Sequence, residues 1–218
     1  MPTPTFVQAN TSGGNVPAGT FTLTYTNAQT AGDTNVIVVG YNTGANPTPT
    51  ILDTSGNSYV LLQALINATT QLSIFMWVCI GIKAAAAGAN TVTINLADPT
   101  TLGVGILEYS GVNSIDTSSS VSGTGANPPI TLTLAASNEM FVAALYTTDV
   151  VDVSPGTGWT GRGSLNFGAG EVQDLLTGPG SVTPVWGGGS SLNSGVLAAV
   201  ALSSSSPSAG VPCPYWAA

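Results

Sequence analysis

The spacing of the apolar residues is the strongest constraint on this chain. Apolar residues occur in short runs, and most of the 27 glycines and 14 prolines fall between those runs. Short runs that either alternate with polar residues or are continuously apolar are typical of β-strands joined by turns. The sequence therefore predicts an all-β fold in which helical signals are nearly absent.

Two kinds of run indicate two kinds of strand. In TFTLTYT, Phe21, Leu23 and Tyr25 share one face and threonines occupy the other, as in a half-solvated antiparallel strand. VIVVG, IFMWVCI, FVAAL and VLAAVAL are continuously apolar, which predicts strands covered on both faces. Together they predict a two-sheet antiparallel β-sandwich of jelly-roll type. The predicted strands are 20–26, 35–41, 58–65, 72–82, 90–96, 103–110, 130–134, 139–147, 170–176, 182–186 and 194–203.

Two segments do not fit the strand pattern. Lys83–Gly88 is short and rich in alanine, which is compatible with one helical turn, and Asp116–Pro129 has the composition of a long Ser/Gly loop crossing the sandwich. We expect residues 1–203 to form a single domain, followed by a linker and docking tail over 204–218. The tail presents Tyr215 and Trp216 either to a pocket on a neighbouring subunit or to its own domain.

The charge of the chain argues against several partners. Only 6% of residues are charged. The chain has ten acidic residues and only two basic ones, Lys83 and Arg162. Such a surface lacks the cationic patch that binds phosphate groups, so nucleic acid and anionic membranes are not expected as partners. No apolar run reaches the ~18 residues of a membrane span. Met1–Asn10 lacks the pattern of a secretory signal, which fits removal of a signal or release by another route, such as lysis.

The residues for common catalytic sites are missing or scattered. The chain contains no histidine, so a Ser-His-Asp triad is impossible, and Lys83 has no motif around it for a Ser-Lys variant. Glycoside hydrolysis requires a pair of carboxylates, and the spacing singles out no pair among Glu108, Glu139, Asp149, Asp152, Glu171 and Asp174. We therefore expect a protein that is not an enzyme.

No cofactor is expected, with calcium as the weaker alternative. The best oxygen-rich segments are 53–57 (DTSGN) and 149–152 (DVVD). The first is also explained as a turn that begins at an Asp and tolerates positive φ at Gly56. Cys79 and Cys213 lack metal-ligand spacing; Cys79 is interpreted as a small buried apolar residue, and a link between the two stays open.

Two tryptophans are candidates for a sugar-binding platform. Trp159 lies in the Gly-rich segment PGTGWTGRG, and Trp186 ends a predicted strand. Exposed indole rings stack against sugars, whereas buried ones plug the end of a sandwich. The sequence is compatible with a sugar-binding platform and with a plug at the end of the sandwich.

Several segments resemble a β-sandwich repeat of phage structural proteins and bacterial cell-surface proteins. The resemblance rests on a D-x-x-G-N-x-Y turn at Asp53, Gly56, Asn57 and Tyr59, on Ala87–Val92 for an A-x-G-x-N-T-V-T-V element, and on Glu108–Val112 for E-Y-S-G-V. SNEMFVAALYTT and GTGWTGRG resemble later parts of the same repeat, so coverage is about residues 34–203. These motifs are turn and packing features, and the resemblance implies architecture without any catalytic residue.

These observations favour a virion structural protein, such as a capsid decoration (cement) or tail-associated subunit. Its expected partners are further copies of itself in a homo-oligomer, for instance a trimer, and a capsid or tail protein. The alternative is an extracellular or cell-surface carbohydrate-binding or adhesin module that binds surface glycan.

Overall fold

The structure is a computed structural model, and it describes residues 2–17, 19–42, 48–97, 100–123, 130–147, 153–165, 170–187 and 194–205. All the regular elements in these ranges are β-strands, and every strand pair is antiparallel. The all-β, antiparallel prediction is confirmed. Within the same ranges, no helical segment has the length and hydropathy to span a membrane.

The strands divide into two consecutive sets. The first half of the chain forms β1 (Thr5–Val16), β2 (Gly19–Thr24), β3 (Thr34–Asn42), β4 (Thr50–Asp53), β5 (Val60–Asn67), β6 (Leu72–Ile80), β7 (Thr91–Leu96) and β8 (Thr100–Ser110). The second half forms β9 (Ser114–Gly123), β10 (Leu132–Leu134), β11 (Glu139–Tyr146), β12 (Ser154–Pro155), β13 (Thr160–Ser164), β14 (Gly170–Thr177), β15 (Gly180–Val182), β16 (Trp186–Gly187) and β17 (Gly195–Ser203).

Both halves have the same strand order. The first central sheet runs β1-β8-β3-β6-β5, and the second runs β9-β17-β11-β14-β13. The smaller sheets follow the same rule. In the first half β7 lies between β2 and β4, and in the second half β15 pairs with β10 while β16 pairs with β12. The chain therefore contains one topology twice in tandem, where the sequence predicted a single sandwich.

A β-bulge supports this correspondence. The register of β1 against β8 shifts between Phe6 and Gln8, and the register of β9 against β17 shifts between Ile115 and Thr117. The extra residue is Val7 in one half and Asp116 in the other. A bulge at the same place in the first strand of each half is expected if the two halves share one backbone plan.

The strands form four layers instead of the two predicted. One core, which includes Val38, Leu107 and Val142, lies between the two central sheets. A second core lies between the first central sheet and the sheet β2-β7-β4, and a third lies between the second central sheet and its own small outer strands. Each central sheet is thus covered on both faces, which explains the continuously apolar β3, β6, β11 and β17.

The central sheets face each other as in a β-sandwich. Across this interface β5 packs near β9, β1 packs near β13, and β3 lies over β11. This reciprocal pattern is expected when two copies of one topology pack face to face about a two-fold axis. At the centre Gly40 lies against the ring of Tyr146, where any β-carbon would overlap the ring. Two facing antiparallel sheets in each half are compatible with a jelly roll, which remains a prediction.

The structure corrects two local predictions. Ser114–Gly123 is a strand, so the expected Asp116–Pro129 loop is wrong for its first eight residues, and 124–129 lie outside the described residues. The Ala-rich segment 83–88 forms no helix: Ala85 makes a β-bridge to Gln29, and the Ala89 amide closes a single turn by donating to the Ala86 carbonyl at 3.0 Å. The strand β9 forms despite its serine-rich composition, because its backbone pairs with the apolar strand β17.

Candidate interaction surface and acidic sites

The two candidate platform tryptophans both lie against the third core. Trp186 is 7% exposed and belongs to the core of the second half, so its ring offers no open face. Trp159 is half-buried, and its ring meets the edge of Phe141 with centroids 5.4 Å apart. The geometry of Trp186 favours the plug interpretation, and a platform role for Trp159 stays a prediction.

Other predicted residues fall outside the described ranges. These are Tyr215 and Trp216 of the expected docking tail, Cys213, and the second candidate calcium segment with Asp149 and Asp152. At the start of the 204–218 segment, the carbonyl of Ser205 accepts a hydrogen bond of 2.7 Å from the Ser114 hydroxyl. The tail therefore starts beside the first residue of β9.

The Asp53 turn is held by a closed hydrogen-bond network. Asp53 Oδ1 accepts from the Asn57 amide at 2.9 Å, and Oδ2 accepts from Asn57 Nδ2 at 2.7 Å, from the Tyr59 hydroxyl at 2.8 Å and from Asn90 Nδ2 at 3.1 Å. Gly56 has φ +67°, as the turn requires. Every residue of the D-x-x-G-N-x-Y motif thus has a structural task, and the turn interpretation accounts for this segment without a metal.

Glu171 and Asp174 do not form a catalytic pair. They lie three positions apart on β14, so their side chains point to opposite faces of the sheet. Asp174 Oδ2 lies between the sheets and accepts from Arg162 Nε at 2.7 Å and from the Tyr109 hydroxyl at 3.0 Å. Glu171 faces the outer strands, where the Gly163 amide donates to it at 3.3 Å and burial raises its pKa to about 7.

The Asp174 cluster fastens one half to the other. Arg162 and Asp174 belong to β13 and β14, whereas Tyr109 lies on β8. The guanidinium of Arg162 also lies 3.7 Å from the ring centre of Phe6 on β1. Arg162 thus neutralises the buried carboxylate of Asp174 and covers the ring of Phe6. These contacts join the edges of the two central sheets.

Two further carboxyl groups are fully buried, Glu108 on β8 and Glu139 on β11. Glu108 has donors: Gln8 Nε2 at 2.6 Å and the Thr30 amide at 3.3 Å. For Glu139, by contrast, neither Oε1 nor Oε2 accepts a hydrogen bond of ordinary geometry. Burial, and after it the nearby carboxylate of Asp116, raise the pKa of Glu139 to about 6.

An apolar strand edge is exposed on the first half. β5 pairs with β6 on one side and with no described strand on the other. Its sequence, VLLQALIN, has no charged residue, and Leu61 and Ile66 are 37% and 46% exposed. We call this surface, the strand β5 with its exposed Leu61 and Ile66, the β5 edge.

Comparison with protein families, with curated proteins and with solved structures finds no match to this chain. In the described part of the chain, no three His, Cys, Asp or Glu side chains are grouped to hold a metal ion.

Sequence reasoning missed the β5 edge and the contact between Asp116 and Glu139. The sequence of β5 could have predicted this edge, because a strand with apolar residues on both faces and no charge must be either central or exposed to a partner. The carboxyl contact had none, since Asp116 reaches Glu139 only through the bulge in β9 and the packing of β9 beside β17.

Proposed function

We propose that this protein is a structural subunit of an assembly, in particular a virion protein of the capsid-decoration or tail-associated kind, that works through contacts between its own copies. The observation that carries the proposal is the β5 edge. An exposed, uncharged edge strand is a template for pairing with another chain, and monomeric proteins protect such edges with charges, prolines or bulges. The Leu61–Gln63 bulge interrupts β5 without bringing a charge to it.

A second copy of the chain is the partner that fits this edge. The chain has a net charge of −8, so copies repel each other over most of their surfaces. β5 carries no charge, so this repulsion is weak there, and two β5 strands can pair antiparallel with Leu61 and Ile66 exchanging contacts across a two-fold axis. The corresponding edge strand β13 is unsuitable, because it has the sequence TGRGS and packs near β1.

The architecture supports the virion setting. Jelly-roll folds, with which each half is compatible, serve as capsid and lectin domains. Four stacked layers with three separate cores give a rigid body suited to spacing and reinforcing a shell. A capsid or tail protein is then the second partner, and the tail with Tyr215 and Trp216 is the proposed means of attachment.

The test is the oligomeric state of Ile66→Lys and Leu61→Lys measured by light scattering after size-exclusion chromatography. We expect wild-type protein to form an oligomer and both variants to shift toward the monomer, with an affinity loss of tenfold or more. Leu176→Lys is the matched control, since Leu176 is similarly exposed, at 47%, but lies on β14. A monomeric wild type, or an oligomer that survives both β5 variants, contradicts the proposal.

The proposed attachment of the tail has its own test. Deletion of 206–218, or the double change Tyr215→Ala and Trp216→Ala, is expected to abolish binding to the particle while the domain stays folded. Co-sedimentation with purified particles measures binding, and circular dichroism confirms folding. Attachment that survives the deletion assigns the contact to another surface.

One observation favours a glycan-binding module as a second candidate. Trp159 is only half-buried, and it follows Gly158, where an added β-carbon would meet no atom within 4 Å. A ring beside such open space is accessible for stacking against a sugar. Binding on a glycan array that is lost in Trp159→Ala would replace the structural proposal with this one.

A further inference from the structure

The Glu139 carboxylate is the least satisfied charged group in the described part of the chain. It is fully buried, and both of its oxygens lack a hydrogen-bond donor of ordinary geometry. The Ala136 amide and the Ser203 hydroxyl lie close enough to influence its pKa without meeting that geometry. A buried carboxylate without donors costs several kcal/mol unless its charge is compensated.

No cationic side chain supplies this compensation. The chain has only two, and both are engaged elsewhere: Arg162 Nε contacts Asp174 at 2.7 Å, and Lys83 Nζ donates to the Gly56 carbonyl at 2.9 Å. Moreover, the nearest charged group is a second carboxylate, Asp116, which adds repulsion. The site therefore lacks a positive charge.

Another buried carboxyl group, in the first half, shows how the chain satisfies such a group when it has donors. Glu108 lies on β8, near Asp33, and is also fully buried. There Gln8 and the Thr30 amide donate to its two oxygens. In the second half the Ala136 amide and the Ser203 hydroxyl lie near Glu139, but neither makes a hydrogen bond of ordinary geometry with it.

We propose that Glu139 and Asp116 bind a divalent cation of the calcium class at the end of the second central sheet. Hard oxygen ligands suit this ion, and two carboxylates neutralise its charge. Two carboxylates alone do not fill its coordination, so water would complete it, together with the nearby Ser203 hydroxyl, whose oxygen also contacts the Ser205 hydroxyl at 2.6 Å. Asp116 is exposed, so the ion has a path from solvent, and the Ala135 amide fixes Asp116 by donating to its Oδ2 at 2.9 Å.

This cation site is distinct from the calcium segments indicated by the sequence. It arises from the bulge at Asp116 and from the start of β11, two places separated by 22 residues between positions 116 and 139. It is also independent of the β5 edge, which lies on the other half.

Thermal unfolding in 2 mM CaCl2 and in excess EDTA, at pH 7.5, tests the proposal. Calcium at ~100 times its Kd is expected to raise Tm by roughly 5–10 °C in a chain of this size. Glu139→Gln and Asp116→Asn should abolish the shift, and isothermal titration with CaCl2 should lose its signal in both. MgCl2 should substitute poorly, because Mg²⁺ requires a smaller and more regular site.

The control is Asp33→Asn, which removes a carboxyl group from the Glu108–Asp33 pair of the first half and should keep the calcium response. Glu139→Gln also has a second readout. In EDTA it should be at least as stable as wild type, since it removes an uncompensated buried charge. A wild-type Tm that does not respond to calcium overturns the proposal in favour of a proton shared between the two carboxyl groups. A calcium response retained by Glu139→Gln overturns it by placing the ion at another site.

Discussion

At the scale of single residues, close packing between the central sheets is set by one glycine. Gly40 on β3 faces Tyr146 on β11, and an added β-carbon at Gly40 would lie within 3 Å of the ring. The Tyr146 hydroxyl donates to the Thr101 carbonyl at 2.9 Å, which holds the ring in place. The glycine is therefore required by the approach of the sheets and not by backbone conformation.

Gly40→Ala is expected to destabilise the protein by about 2–3 kcal/mol or more, because overpacking a rigid core forces the sheets apart. Urea unfolding followed by tryptophan fluorescence measures the change. Gly178→Ala is the matched control, since nothing lies within 4 Å of its added β-carbon and its φ is not positive. Equal stability of the two variants would show that Tyr146 moves freely.

Buried carboxyl groups also predict an unusual pH dependence. Burial raises the pKa of Glu171 from 4.5 to about 7, so the folded state holds a proton that the unfolded chain has already released. Stability from this group is complete below pH ~4.5 and is lost as the pH rises toward 7. We expect the free energy of unfolding in EDTA to fall by up to about 3 kcal/mol between pH 4.5 and 8.

Glu171→Gln should flatten this pH profile, because glutamine cannot titrate. Denaturant unfolding at half-unit pH steps provides the comparison. The contribution of Glu139 remains in this variant, since its pKa is raised to about 6. A wild-type profile that rises from pH 4.5 to 8 would contradict the burial of Glu171.

At the scale of strands, the sequence predicts those with a strong pattern and misses those defined by their neighbours. Alternation identified β2 and β7, and continuous apolar runs identified β3, β6, β11 and β17. β1 and β9 were missed because their Ser, Asn and Gly residues have little strand propensity. Both are edge strands that pair along β8 and β17, so their conformation is imposed by tertiary contact.

The site residues show the same limit. The Asp53 turn was predictable because most groups that hydrogen-bond to Asp53 are close in sequence, within Asp53–Tyr59. The Asp174 cluster was not readable, since Phe6, Tyr109 and Arg162 come from three distant strands. The residues that hydrogen-bond to Asp174 are 12 and 65 positions away in the sequence, and no sequence pattern predicts contacts at such separations.

The Asp174 cluster predicts strong coupling between strands of different halves. Asp174→Asn should cost about 2–4 kcal/mol, because Arg162 loses its carboxylate partner in a largely buried setting. A double-mutant cycle of Asp174→Asn with Tyr109→Phe should give a coupling energy of about 1 kcal/mol or more. Additive effects in the cycle would mean that the 3.0 Å contact contributes nothing.

At the scale of the whole molecule, the duplicated topology did not appear in the sequence because the halves share strand order and not residues. The shared core between the central sheets has a thermodynamic consequence. Neither half can bury its inner face alone, so the halves should unfold together. Calorimetry should give one transition with equal calorimetric and van't Hoff enthalpies, whereas two resolved transitions would show independent halves.

The shared core also matters while the polypeptide is being made. The last strand of the first half ends at Ser110 and the last strand of the second ends at Ser203. At about 5–20 residues per second, ribosomes need roughly 5–20 s to complete the difference. During that interval the inner apolar face of the nascent first half is exposed. Chaperones and neighbouring nascent copies therefore compete for it until the second half emerges.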